Sequence, residues 1–158
     1  MHKVLVSITD ELQSRKQILR TAGVANIDEY NRNAKKKLYR IVFACDEIAE
    51  VLDKTGLSKQ QKDEILKIES ELSIIARQGR AFGIHLVLAT QRPDAAILNG
   101  QIRNNIDTRI CGRADNVLSQ IILDNTDASD KIAKSSQGRF LTNSGKIFQA
   151  YWFDENIL

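Results

Sequence analysis

The sequence predicts an α/β fold, with a mainly parallel sheet flanked by helices and an antiparallel hairpin at its C-terminal end. Three observations carry that prediction. Ile41-Val-Phe-Ala-Cys45 is a continuous apolar run rich in strand-forming residues, as strands buried on both faces read. Ile84-His-Leu-Val-Leu-Ala-Thr90 is a second such run, separated from the first by a long helical pattern. Arg139-Phe-Leu-Thr142 and Ile147-Phe-Gln-Ala-Tyr-Trp-Phe153 flank Asn143-Ser-Gly-Lys146, a hairpin-type turn. Strands alternating with helices select parallel pairing.

The chain has 158 residues, enough for one domain with a real core. Its 42% hydrophobic and 27% charged content is that of an ordinary globular chain, and its net charge of +3 leans only weakly towards an anionic partner. No apolar run reaches the roughly 18 residues of a membrane span, and Met1 opens no signal-peptide pattern. Cys45 and Cys111 sit in apolar, strand-like contexts and read as core thiols of a reducing cytoplasm. Two Cys with His2 and His85 show none of the paired spacings of a zinc site.

Taken in order, residues 4–22 form a helical pattern with Ile8, Leu12, Leu19 and Ala22 on one face. Arg15, Lys16 and Arg20 turn away, and Gly23 is the stop. That basic face reads as solvated, with DNA contact as the alternative. A short helix is expected around Asp28–Arg32. Lys35, Lys36 and Lys37 then read as a solvated loop rather than a binding patch. After the first strand, Asp53-Lys-Thr-Gly-Leu57 breaks the chain, and Ser58 with Gln61 forms a capping box. Ile65, Ile68, Leu72, Ile75, Gly79 and Phe82 recur at helical spacing to the stop at Gly83. Beyond the second strand follow a helical turn over Asn99–Asn104, a short strand Thr108–Cys111, and a helix from the candidate cap Asp115 to Leu123. His85 reads as a core histidine, and Trp152 with Tyr151 and Phe153 as packing rather than a base-stacking platform.

The first strand ends in Asp46-Glu47. Ligands of open parallel sheets collect at the carboxyl ends of the strands. Two acids there suit the metal of a nucleotide and the water that attacks its γ-phosphate, which is the Walker B pattern. The same two residues also suit an acidic helix start. On these residues alone the two readings are equal.

Further blocks break the tie. Leu12–Gly23 with Asn26 and Tyr30-Asn31, Asp46-Glu47 with Ala49-Glu50, Ala76-Arg-Gln-Gly-Arg80, Gly83–Pro93, Ile102–Ile106, Thr108-Arg109-Ile110 and Ile122-Leu-Asp124 stand in one familiar order. Together they resemble the C-terminal half of the motor domain of FtsK/SpoIIIE-type DNA translocases. The long segment between Glu47 and His85, and the stretch from Gln137 to Phe153, resemble versions on Gram-positive conjugative elements. The resemblance implies a RecA-like, P-loop-type ATPase that forms a hexameric ring on double-stranded DNA and couples ATP hydrolysis to translocation. It implies ATP and Mg²⁺ as cofactors, with Asp46 on the metal, Glu47 on the attacking water, and Thr90 and Gln91 near the γ-phosphate. Arg80 is the first candidate for an arginine finger reaching a neighbouring subunit, followed by Arg109 and Arg113. The implied whole protein is cytoplasmic, tethered to the inner face of the membrane, and serves conjugation or division machinery. A ring ATPase of protein secretion and a non-catalytic interaction domain are the alternatives.

The phosphate-binding G-x-x-x-x-G-K-[ST] is not in these residues. Gly145-Lys146 precedes Ile147 in the hairpin turn. Residues 1–158 are therefore expected to be a partial, incomplete motor domain that carries Walker B without Walker A and is inactive alone.

Overall fold

A computed structural model describes residues 1–91, 93–94 and 100–151. They form two compact units, the first from residues 1–91 and 100–106 and the second from 93–94 and 107–151. The expectations at Arg92, Asn99, Trp152 and Phe153 lie outside the described residues.

The first unit runs α1 (His2–Ala22), α2 (Ile27–Asn33), β1 (Ile41–Cys45), α3 (Ile48–Leu52), α4 (Lys59–Gln78), a 3₁₀ turn (Arg80–Phe82), β2 (Ile84–Leu88) and α5 (Gly100–Asn104). The Ser58–Gln61 capping box starts α4 as read, with both reciprocal bonds formed. β1 and β2 pair in parallel, Ile41 opposite Ile84 through Cys45 opposite Leu88. Ile41, Phe43, Cys45, Leu86 and Leu88 pack against a core of Leu5, Leu12, Ile48, Leu72, Ile84 and Ile102, drawn from the surrounding helices and β2.

Two expectations change here. β1 and β2 are not buried on both faces. Alternate residues point away from the core, leaving Val42 61% and Val87 55% exposed. The helices of the unit gather on the Ile41–Phe43–Cys45 side. A continuous apolar run encodes two coverable faces but does not say which is covered within the unit.

Arg15 is the second correction. It does not turn to solvent as Arg20 does; it is 3% exposed, in the stripe Leu5, Ile8, Leu12, Arg15, Leu19 that recurs at three and four, while Lys16 is half-buried and donates to Gln78. Its Nε donates to Glu11 Oε1 at 2.8 Å and an Nη to the Phe82 carbonyl at 2.8 Å. These bonds offset the desolvation of the guanidinium and pin α1 to the turn ahead of β2.

Two glycines let that turn close. A Cβ on Gly79 would lie 2.6 Å from the Ile84 carbonyl oxygen and 2.7 Å from that of Ile75. Gly83 takes φ 73°, and a Cβ there would meet Ile27 Cδ1 at 2.4 Å.

The second unit runs β3 (Ile110–Cys111), α6 (Asn116–Leu123), α7 (Asp127–Lys131), β4 (Arg139–Thr142) and β5 (Ile147–Gln149). Its sheet is antiparallel, in the order β3-β4-β5. Asp115 caps α6 through Leu118 N at 2.8 Å, as read. The hairpin forms around Gly145, with Phe140 and Phe148 stacked across it at 5.7 Å. Cys111, Leu123, Ala128, Ile132 and Leu141 make a core of its own. The sequence pattern did not announce α7.

Candidate functional site

Because β1 and β2 are parallel and in register, both run out on the same side, and the ladder continues past them. Ala89 N donates to the Cys45 carbonyl at 2.8 Å, and Ile48 N to the Ala89 carbonyl at 2.9 Å. Asp46-Glu47 is thereby set beside Thr90-Gln91.

Glu47 is the residue this geometry fixes. Its Oε1 accepts from the Thr90 hydroxyl at 2.5 Å and from Ala49 N at 3.2 Å, and its Oε2 accepts from Gln91 N at 2.9 Å. The Ala49 bond makes Glu47 the N-cap of α3, so the helix-start reading is correct as far as it goes. A cap does not require the other two bonds. They come from the neighbouring strand, and hydrogen bonds to an ionised carboxylate are the stronger kind. The carboxylate is held at both oxygens by two segments more than 40 residues apart in sequence.

Asp46 contrasts with it. It is exposed and makes no hydrogen bond or ion pair among the described residues. A Mg²⁺ ion keeps most of its waters and takes one or two carboxylates besides phosphate oxygens. An exposed acid with no competing partner, at the end of a parallel strand, fits that donor set.

The resemblance implied a place near the γ-phosphate for Thr90 and Gln91, with strand-end hydrogen bonding as the alternative. In the structure the Thr90 hydroxyl and the Gln91 backbone are turned to Glu47. The signal for that bond was in the sequence: two apolar runs, both ending in polar residues, adjacent once paired in parallel.

The arginines separate. Arg80 is exposed in the 3₁₀ turn before β2, at the opposite end of the strand pair from Glu47. Arg109 belongs to the second unit, where its Nη donates to Asp124 at 2.6 Å with the side chain 18% exposed. The Arg113 guanidinium donates to the carbonyls of Ser129 at 2.7 Å and Ile132 at 2.6 Å, closing the end of α7. His85 is half-buried on β2.

No protein-family model matches the chain. It is 34% identical over 145 residues to the DNA translocase FtsK of Chlorobaculum tepidum, covering 90% of this chain and 16% of that protein. Among solved structures, the pCW3 conjugation coupling protein TcpA, in a monomer form with ATPγS, is similar with a TM-score of 0.90 at 40% identity. That match covers 99% of this chain and 45% of TcpA. EssC (ATPases 2 and 3) from Geobacillus thermodenitrificans is similar with a TM-score of 0.68 at 22% identity, covering 92% of this chain and 25% of that one, a likeness of fold alone. The chain thus has the fold of the P-loop ATPase translocases and belongs to the FtsK-type DNA translocase family, matching about a sixth of the length of its FtsK relative.

Proposed function

We propose that this chain is the Walker B-bearing part of an ATP-driven motor that moves double-stranded DNA, of the kind that serves conjugative transfer. The observation that carries the reading is the Glu47 carboxylate at the end of β1, tied to the segment that follows β2 and next to an Asp46 without a partner among the described residues. The likeness to a conjugation coupling protein over 99% of the chain, at 40% identity, supports transfer over division. The likeness to EssC is one of fold alone and carries no argument about substrate.

In this reading Asp46 holds Mg²⁺. The metal, when bound, neutralises charge building on the phosphate oxygens. Glu47 orients the attacking water and draws its proton, and Thr90 and Gln91 fix the angle at which Glu47 does so. Arg80, exposed at the other end of the strand pair from its own Glu47, is the residue that in this reading acts on a neighbouring subunit of a hexameric ring. The phosphate cradle comes from polypeptide other than these 158 residues, which by themselves do not turn over ATP. The motor works on the cytoplasmic face of the membrane.

The test is ATP hydrolysis, with and without duplex DNA, by the protein extended to include a phosphate-binding loop. Duplex should stimulate turnover, and Glu47→Gln should lower kcat by about 10²-fold or more, in the range seen when a single transition-state contact is removed. Turnover unchanged in Glu47→Gln would reduce Glu47 to a helix cap.

A further inference from the structure

The end of α2 and the loop from it to β1 carry a feature the mechanism does not use. Residues 32–40 hold five cations, Arg32, Lys35, Lys36, Lys37 and Arg40, and no acid. The whole chain has 23 basic and 20 acidic side chains, so without those five it holds 18 against 20 and is net negative. Its excess of positive charge is confined to nine residues.

This stretch is held open rather than folded away. The Asn31 side chain clamps Leu38 at both polar groups. Asn31 Nδ2 donates to the Leu38 carbonyl at 2.8 Å, and Leu38 N donates to Asn31 Oδ1 at 2.9 Å. Residues 34–37 arch between those two points. Arg32 and all three lysines are exposed and make no ion pair among the described residues. Arg40 is tied to Asp28 at 2.6 Å. Tyr39 stands 85% exposed between the lysines and Arg40. The site also lies away from Glu47: β1 has five residues, and at about 3.3 Å per residue its two ends are ~16 Å apart.

We infer that the 32–40 loop is a docking site for a nucleic-acid phosphate backbone. A clamped arch of unpaired lysines neutralises successive phosphates at little ordering cost, and the exposed Tyr39 ring offers a hydroxyl and an aromatic face beside them. An acidic membrane surface would also attract the charge, but stable membrane docking uses apolar side chains that enter the bilayer interface. Ala34 and Leu38, the apolar residues flanking the lysines, are half-buried. The identity of the polyanion as duplex DNA rests on the motor reading above; the place on the fold does not.

The experiment is binding of the 158-residue chain to a short labelled DNA duplex across a salt titration. For Lys35→Ala/Lys36→Ala/Lys37→Ala, the slope of log affinity against log salt should flatten by about 3, one counterion per lost phosphate contact. Lys35→Arg/Lys36→Arg/Lys37→Arg should keep the slope. Lys36→Glu alone should flatten it by at least about 1, and is the reporter if the triple alanine variant loses its helical circular dichroism. Unchanged affinity and slope in the alanine variant would overturn the site, and so would binding to phosphatidylserine vesicles without binding to duplex. If the site falls while duplex still stimulates ATP turnover in the extended protein, the motor reading stands. If turnover ignores duplex while the lysines still bind it, the motor reading falls and the site stands.

Discussion

Where β1 and β2 end, a side chain is fixed; where they begin, the backbone is. At the finishing end Glu47 takes bonds from Thr90 and Gln91, beyond β2, and from Ala49 in α3, so one carboxylate is oriented from two segments. At the starting end Gly79 and Gly83 let the chain pass within contact of Ile75, Ile84 and Ile27, and Arg15 holds the Phe82 carbonyl. The side chains there, Arg80 and the lysines of the 32–40 loop, face solvent. The difference separates two jobs. The role proposed for Glu47 needs its carboxylate at a set angle, and a set angle needs a strand register that does not slip. The starting end supplies the register and the finishing end uses it.

That division can be broken by substitution. Gly79→Ala should be the most damaging, costing about 3 kcal/mol or more, because the new methyl meets two backbone oxygens and neither is at the end of a flexible side chain. Denaturant unfolding measures it. A cost under about 1 kcal/mol would mean that the turn relaxes and does not set the register. Arg15→Met keeps the stem in the α1 stripe but strips the bond to Phe82, and should cost about 2 kcal/mol in the same measurement. At the finishing end the effect is smaller and reads as coupling. A double-mutant cycle between Thr90→Val and Glu47→Gln should give an interaction of about 1 kcal/mol. No coupling would leave Glu47 a local cap.

The smallest effect compares the last residue of β1 with the core of the second unit. Burial pushes the Cys111 thiol up, so its thiolate forms only above the ordinary cysteine range. A thiol reagent should label half-buried Cys45 first and Cys111 only as pH climbs. The sign for stability follows. The folded state keeps the Cys111 proton longer than the unfolded chain, so its contribution is intact below the unfolded cysteine pKa and declines as pH rises through it. A thermal melt series across alkaline pH, with Cys111→Ser as reference, measures that decline.

What could be read from sequence was local. The Ser58–Gln61 box and the Asp115 cap are each decided within four residues and formed as read, whereas the long helix expected to run to Gly83 ends at Gln78, and Gly83 closes the separate 3₁₀ turn. The acid pair at the end of β1 was legible because polarity changes there in a single step. Arg15 was not legible, since its buried partner is a carbonyl 67 positions away. α7 is a five-residue helix with only Ala128 buried, too short to show a period, and its end is closed by Arg113 from across the unit. The open Val42–Val87 face was hidden for the converse reason, because residues fit for burial look the same whether or not something covers them. In the candidate site the residue types were readable, but the Thr90–Glu47 bond needed the pairing of strands on either side of α4.

The Arg15 bond to Phe82 has a consequence for how the molecule breathes. It joins the middle of α1 to Phe82, one residue ahead of the Gly83 that leads into β2 at Ile84. Opening the middle of α1 would leave a guanidinium and a carbonyl without each other inside the core, so the helix has little reason to unwind there while β2 stays put. Amide hydrogens of the central turns of α1 and of β2 should therefore exchange with solvent at a common rate, as one cooperative unit. The α2 segment, joined to α1 by an exposed connection, is free to exchange faster.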